Sequence, residues 1–191
     1  MKIHKIPINT DMKIYEDNLS NLMNFKRIND DLERDILSHG DSQNKKTNVQ
    51  ADMTDWQMAS RYKSFENLLK IIIIQKIPNF IDNIVVSGKK AEFVCTGMWG
   101  IIYNKGDFTV EHNHVGSTLS FTYYVKATEN SSPICFTQPG KKEIIAKTGT
   151  LLIWDAAYMH KVPEQPSSEK RIAVAGNLNW KLPEISNNKI N

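Results

Sequence analysis

Two histidines one residue apart, His112 and His114 in the stretch VEHNHVGS, are the residues of this chain best suited to chemistry. Alternation along a β-strand puts residues i and i+2 on one face, so both imidazoles can address one ion if a third ligand approaches from a neighbouring strand. His160, in YMHKV, is the candidate for that third ligand. Neutral imidazole suits Fe, Zn, Cu and Ni, and three protein ligands that leave coordination positions open describe a catalytic rather than a structural metal site. Arg171, at the head of RIAVAGN and eleven residues beyond His160, adds a permanently charged group to the next strand-like stretch. A lone His-x-His pair is a weak signal, and a lone arginine more often pairs on the surface; their order on successive strands carries the inference. His4 and His39 fall in a terminal segment and at a polar loop, and read as surface residues.

The elements that must hold these side chains divide into two textures near residue 90. From about Leu19 to Ile77 the chain reads as helical. One helix is expected over Leu19 to Leu37, where Leu19, Leu22, Met23 and Phe25 fall on one side, with His39-Gly40-Asp41 as its end. Ser38 to Asn48 is polar and reads as an exposed loop. A second helix is expected over Tyr62 to Gln75, stopped by Pro78, although four successive isoleucines also suit a strand. Thr47 to Trp56 reads as an exposed connection with Thr54 as a cap, at the entrance to a substrate site.

From Glu92 onward the texture is short strands separated by Gly, Pro, Asn or charged turns: Phe93 to Tyr103, Phe108 to Glu111, Leu119 to Lys126, Ile134 to Thr137, Glu143 to Ala146, Thr150 to Trp154, His160 to Val162 and Arg171 to Asn177. Eight strands with no helix among them predict an α+β protein whose antiparallel sandwich or jelly roll is buttressed by the preceding helices. The organisation expected is one domain over 1–191: a mainly helical buttress over 1–90, a β core over 91–179 and a tail over 180–191. Trp99, Trp154 and Phe136 are expected to pack the sandwich, and Asp155 to sit in a turn.

Composition removes several function classes. With 191 residues, 40% hydrophobic and 24% charged, the chain has the make-up of an ordinary single domain able to bury a core. Its 24 Lys and Arg against 21 Asp and Glu give a net charge of +3 spread along the chain, so charge lends no support to nucleic acid as a partner. The longest apolar run, Ile71 to Ile74, is too short for a membrane span, and MKIHKIPINT lacks the apolar core of a signal peptide, so a cytoplasmic location is expected. Cys95 and Cys135 have no partner at metal-ligand spacing and read as free, buried thiols of a reducing compartment.

Strand, turn, H-x-H, a strand ending in YYV, then GTLLIW, HKV and RIAVA: over Ala91 to Asn179 this succession resembles the double-stranded β-helix core of the iron(II) and 2-oxoglutarate dependent oxygenases. It is most similar to their prolyl-hydroxylase-like branch, which includes small oxygenases of bacteria and their phages. The resemblance implies Fe(II) as cofactor and 2-oxoglutarate as co-substrate, with His112 and His160 as metal ligands and Arg171 pairing with the far carboxylate of 2-oxoglutarate. It also implies that Tyr103, nine residues before His112, faces the co-substrate, and that Tyr124 hydrogen-bonds the same far carboxylate. Leu119, Phe121, Tyr123 and Val125 then occupy the opposite strand face, which makes Tyr123 a packing residue. Asn177 matches a polar position of related sequences without a clear place in the pocket.

One departure stands out: His114 takes the place of the family's acidic ligand. Glu111 adjoins His112 and so points to the other face of a regular strand. A three-histidine site is one unit more positive than one with a carboxylate, which alters metal preference and reactivity.

The reading is therefore a non-haem Fe(II), 2-oxoglutarate dependent dioxygenase that hydroxylates an unactivated C–H bond of a small molecule or a protein side chain, with no membrane partner. Two other readings stand beside it. One is a three-histidine cupin-type dioxygenase acting on a thiol or diketone without 2-oxoglutarate, which leaves Arg171 and Tyr124 without a shared role. The other is a jelly-roll binding or structural protein that has lost its chemistry.

Overall fold

In the computed structural model, residues 12–42, 47–82, 85–86 and 88–183 are described. Helix α1 spans Phe25–His39 and not Leu19 to Leu37. Leu19–Asn21 forms a separate 3-10 turn, with the Asn18 side chain accepting from the Ser20 amide. Ile28, Leu32 and Ile36, four residues apart, supply the buried stripe of α1, and Gly40 ends it at φ 69°. A short helix α2 covers Met58–Arg61. The third, α3, covers Lys63–Lys70 with Phe65 and Leu68 buried, and continues through Ile71–Lys76 as a π turn. The isoleucine run is thus helical, and Pro78 sits in the closing 3-10 turn Ile77–Asn79.

Among the described residues thirteen strands are numbered in chain order. Those before residue 91 are β1 (Ile14–Asn18), β2 (Val49–Gln50), β3 (Asp52–Met53), β4 (Val85–Val86) and β5 (Lys89–Lys90). The core supplies β6 (Glu92–Tyr103), β7 (Phe108–His112), β8 (Leu119–Lys126), β9 (Ile134–Gln138), β10 (Lys142–Ile144), β11 (Thr150–Asp155), β12 (Met159–Val162) and β13 (Arg171–Lys181). They form a six-stranded sheet ordered β1-β11-β8-β13-β6-β3, a five-stranded sheet ordered β10-β9-β12-β7-β2, and the separate hairpin β4-β5. The pairing between named strands is antiparallel throughout, and the two large sheets make the expected jelly roll.

The N-terminal segment is more than a buttress. It adds β1 to the edge of the larger sheet against β11, and inserts β2 and β3 beside β7 and β6. The stretch read as an exposed connection therefore contains two strands. Thr54 does not cap a helix: its hydroxyl accepts from the Gly100 amide at 2.9 Å and donates to the Asp55 carbonyl at 3.1 Å. At the other end, β13 runs on past Asn177 to Lys181, pairing Trp180 with Phe93, so the segment expected as a tail begins inside a strand.

Period-two alternation assigns each central strand a helix side and a sandwich side. Ile172, Val174 and Leu178 of β13 join Phe121, Tyr123 and Val125 of β8 under the helices, packed on Leu32, Ile36, Phe65 and Leu68. Tyr123 donates to Asn29 Oδ1 at 2.6 Å, and Asn29 donates to the Val125 carbonyl at 3.0 Å, so one buried amide fastens α1 to β8. Gly100 lets α1 approach, since a Cβ there would lie 2.6 Å from Ile36 Cγ1. The other face of the same strands, with Tyr124, Arg171, Ala173 and Ala175, looks between the two sheets.

Cys95 and Cys135 are free thiols on β6 and β9, in different sheets. His39 is not a surface residue: its side chain is 15% exposed, with Nε2 3.4 Å from Asp55 Oδ2 and Nδ1 3.4 Å from the Tyr62 hydroxyl. His4 lies outside the described residues. Among the described residues no helix is long and apolar enough to cross a membrane.

Candidate metal centre

Strands β7 and β12 are antiparallel neighbours, and their register sets His112 directly opposite His160. His114 arrives differently from the sequence expectation. It lies beyond the end of β7, in a turn where its amide donates to the Ala156 carbonyl at 2.8 Å and its own carbonyl accepts from Ser117 at 3.0 Å. The loop swings its ring back: ring centroids lie 4.8 Å apart for His112 and His114, 4.4 Å for His112 and His160, and 5.3 Å for His114 and His160. One candidate ligand atom from each of the three lies within 4.8 Å of the others. The three candidate ligands thus converge, two by cross-strand pairing and one by a turn.

Tautomers follow from the hydrogen bonds. The Val110 carbonyl lies 2.8 Å from His112 Nδ1, and the Tyr158 carbonyl 3.0 Å from His160 Nδ1. A carbonyl only accepts, so both Nδ1 atoms carry the proton and both Nε2 atoms present a free lone pair. Burial drives the His160 pKa down to about 3 and the His114 pKa to about 4, with the neighbouring His112 charge adding to each. Burial also lowers His112, against the pull of the Val110 carbonyl. Three neutral, converging imidazoles fit a divalent cation. Glu111 is exposed, and the Asp155 carboxylate accepts from the Ala157 amide at 2.8 Å in a turn.

The same cavity reaches Arg171, the first residue of β13, whose side chain is only 2% exposed. Its guanidinium carbon sits 4.5 Å from the centre of the Tyr103 ring and 5.0 Å from that of Tyr124. Its Nε and Nη1 have no hydrogen-bond partner among the described residues, and neither has the Tyr124 hydroxyl. Burial raises the Tyr124 pKa to about 12, with Arg171 opposing. The Tyr103 ring lines the cavity while its hydroxyl pairs with Thr109 Oγ1 at 2.6 Å. A buried cation and a phenol whose donors have no partner among the described residues are chemically suited to cradle a carboxylate.

Between the two ends the walls are mostly apolar or aromatic, with Trp99, Trp154, Ile134 and Val162, while Thr109 and Thr122 add hydroxyls and Ala173 and Ala175 leave the space between the sheets open. Among the described residues no Asp or Glu lines this cavity. Trp154 packs edge-on to Phe136 and to His160, with ring centroids 5.3 and 5.1 Å away. The expectation that these aromatics pack the sandwich accounts for their bulk. It misses that the indole N–H groups of Trp99 and Trp154 are buried with no partner among the described residues. Val49 also lines the cavity, which brings β2 to its wall.

Asn177 is the residue that sequence reasoning left unplaced. Its Oδ1 accepts from Ser120 Oγ at 2.8 Å, and its Nδ2 lies 3.5 Å from His114 Nδ1. The register of β13 on β6 slips between Asn177 and Leu178, so simple alternation does not describe this end of the strand. Its polar side chain within the apolar run from Ile172 to Leu178 was the signal in the strand itself.

Residues 97–147 match the family model described as 2OG-Fe(II) oxygenase, a stretch that contains Tyr103, His112, His114 and Tyr124. No curated protein matches the chain by sequence. Among solved structures, the viral collagen prolyl hydroxylase of Paramecium bursaria Chlorella virus-1, in complex with 2OG, superposes with a TM-score of 0.62 at 13% identity, covering 88% of this chain and 96% of that one. A prolyl hydroxylase from Trichoplax adhaerens, bound to a peptide of the hypoxia inducible factor oxygen degradation domain, gives 0.63 at 12% identity over 87% and 83%. The non-heme alpha-ketoglutarate dependent epimerase SnoN from nogalamycin biosynthesis gives 0.63 at 9% identity over 87% and 77%. The jelly roll of this chain is the fold of those oxygenases.

Proposed function

We propose that this protein is a non-haem Fe(II), 2-oxoglutarate dependent dioxygenase that hydroxylates a C–H bond. The observation that carries the reading is Arg171, buried with donors that have no partner among the described residues, at the far end of a cavity whose other end holds three neutral histidines and whose described walls hold no carboxylate. His112, His114 and His160 would hold the iron through nitrogen. Bound iron would supply the redox chemistry, with O2 as the oxidant: one oxygen atom enters the substrate C–H bond and the other the succinate formed as 2-oxoglutarate loses CO2. Arg171 and the Tyr124 hydroxyl would hold the far carboxylate, the guanidinium through paired N–H donors and the phenol through one O–H. Trp99 and Trp154 exclude water from the space between, and their indole N–H groups offer donors to oxygen atoms of a bound ligand.

The aromatic and aliphatic walls suit a small molecule or an inserted protein side chain. A net charge of +3 spread along the chain gives nucleic acid no such support. The cupin-type reading accounts for three histidines and leaves a buried guanidinium with no purpose. Titration of the anaerobic Fe(II) protein with 2-oxoglutarate, followed by its metal-to-ligand charge-transfer absorption, tests the proposal. Saturable growth of that band at one equivalent is expected. Stoichiometric iron with no spectral response to 2-oxoglutarate would hand the site to the cupin-type reading, and absence of iron binding would remove the enzyme altogether.

A further inference from the structure

His112 and His160 each have a backbone carbonyl to fix their tautomer; His114 has a side-chain amide instead. An amide differs from a carbonyl in one respect that matters here: turned by 180° about its last bond, it exchanges an acceptor for a donor while its heavy atoms keep their places. The neighbour on its other side permits the exchange, because the Ser120 hydroxyl either donates or accepts. Ser120 and Asn177 face each other directly across β8 and β13, so the three groups form a short relay from Ser120 Oγ through Asn177 to His114 Nδ1. Ser120 is 1% exposed, which leaves little water to replace either partner.

Two hydrogen-bond patterns satisfy this relay, and they have opposite consequences. With Ser120 donating to Oδ1, Asn177 turns its NH2 toward His114 Nδ1, which must then accept, and the proton moves to Nε2. That tautomer has no lone pair for a cation on the side of the other histidines. With the amide reversed, Nδ2 donates to Ser120 Oγ, Oδ1 accepts from His114 Nδ1–H, and Nε2 becomes a ligand. We infer that Asn177, seated by Ser120, is the positioning residue that decides whether His114 serves as the third metal ligand. This rests on the three-histidine reading above and adds a switchable element to it, since cation binding and amide reversal must occur together.

Groups that orient a metal-bound histidine through its other nitrogen typically affect metal affinity by about 10–100-fold. Asn177→Leu, which removes the acceptor at nearly constant volume, should therefore weaken binding of Co(II) alone to the full-length protein by about 10–100-fold. Asn177→Asp should do the reverse: a carboxylate only accepts, holds the proton on Nδ1, and should keep or tighten Co(II) affinity. Side-chain nitrogen-15 shifts of His114 in the metal-free protein read the tautomer directly. They should show Nδ1–H in Asn177→Asp and a larger share of Nε2–H in the wild type.

His112→Ala separates this inference from the reading beneath it. If the wild type binds no Co(II), or His112→Ala binds as the wild type does, the metal centre itself fails. If His112→Ala abolishes binding while Asn177→Leu binds as the wild type, the inference about Asn177 fails alone. Should Asn177→Leu not fold, Asn177→Asp decides, and weaker Co(II) binding or an unchanged tautomer there overturns the inference.

Discussion

Arg171→Met separates a guanidinium kept for a ligand from one kept for the fold, because the two roles predict opposite signs. The side chain is among the largest fully buried ones, and two of its nitrogens lack partners among the described residues. An uncompensated buried charge costs several kcal/mol, and the two tyrosine faces at 4.5 and 5.0 Å return about 0.5–2 kcal/mol each. Methionine fills much of the space without the charge, so the metal-loaded variant without 2-oxoglutarate should match the wild type or exceed it by roughly 1–3 kcal/mol. At this chain length that is about 2–4 °C of melting temperature per kcal/mol.

With 2-oxoglutarate the order inverts. At one hundred times its dissociation constant a ligand stabilises the native state by about 2.7 kcal/mol. Losing a charged partner of a buried carboxylate costs about 2–5 kcal/mol, roughly 30-fold or more in affinity, so at the same concentration the variant should gain less than about 1 kcal/mol. Anaerobic calorimetric melting of the Fe(II) protein with and without 2-oxoglutarate measures both numbers. A variant that is destabilised by more than about 2 kcal/mol without 2-oxoglutarate, yet keeps the wild-type response to it, would show that Arg171 is structural and refute the cradle.

His112→Ala and His160→Ala should each abolish stoichiometric Fe(II) binding while circular dichroism of the β-rich fold is retained; unchanged iron content in both would remove the centre. Tyr124→Phe should weaken 2-oxoglutarate binding about 5-fold to 10-fold, the worth of roughly one hydrogen bond, with no change in iron affinity, as read from the same charge-transfer titration. The metal-free protein should lose stability on acidification: His114 and His160 titrate in the native state near 4 and 3, so below about pH 6.5 the unfolded chain takes up protons first, and the loss continues toward the native pKa values. Urea midpoints at pH 7, 6 and 5 should fall in that order, and a flat profile would contradict the buried, neutral state of the trio. Leu32→Ala, at a position with no exposure beneath the larger sheet, should cost about 2–5 kcal/mol in urea unfolding and leave metal affinity alone.

The core strands were legible because β-branched and aromatic runs alternate between turn residues, and Leu119–Lys126 has the same ends in the sequence reading and in the structure. The order of His112, His160 and Arg171 was legible for the same reason: each lies on a strand whose neighbour the jelly roll dictates. What escaped depends on contacts that a linear pattern does not hold. Strand β1, IYEDN, has charged Glu16 and Asp17 at its centre and gains its strand conformation from the edge of β11. The β2 and β3 segment alternates buried Val49, Ala51 and Met53 with Gln50 and Asp52, but two-residue strands at sheet edges are too short for that alternation to stand out. His114 has the i+2 spacing of a strand residue yet reaches the other histidines through a turn held by Ala156. Asn177 needed the register slip beside it, and His39 needed the approach of Asp55 and Tyr62 from another part of the chain.

The charge of the cavity ties its two ends together. Arg171 brings one positive charge, a divalent metal would bring two, and neither the three imidazoles nor any described lining residue offers a negative charge in return. A thiol or diketone, bound as thiolate or enolate, brings one negative charge to the metal and leaves the guanidinium without a counter-charge. A dicarboxylate serves both, since one carboxylate can meet the metal and the other the guanidinium, each compensating a charge that burial makes costly. In a site with an acidic ligand the protein itself supplies one negative charge; here His114 occupies that position and supplies none. The compensation falls to the bound anion, so the departure from the family's pattern strengthens the electrostatic demand for a dianionic co-substrate.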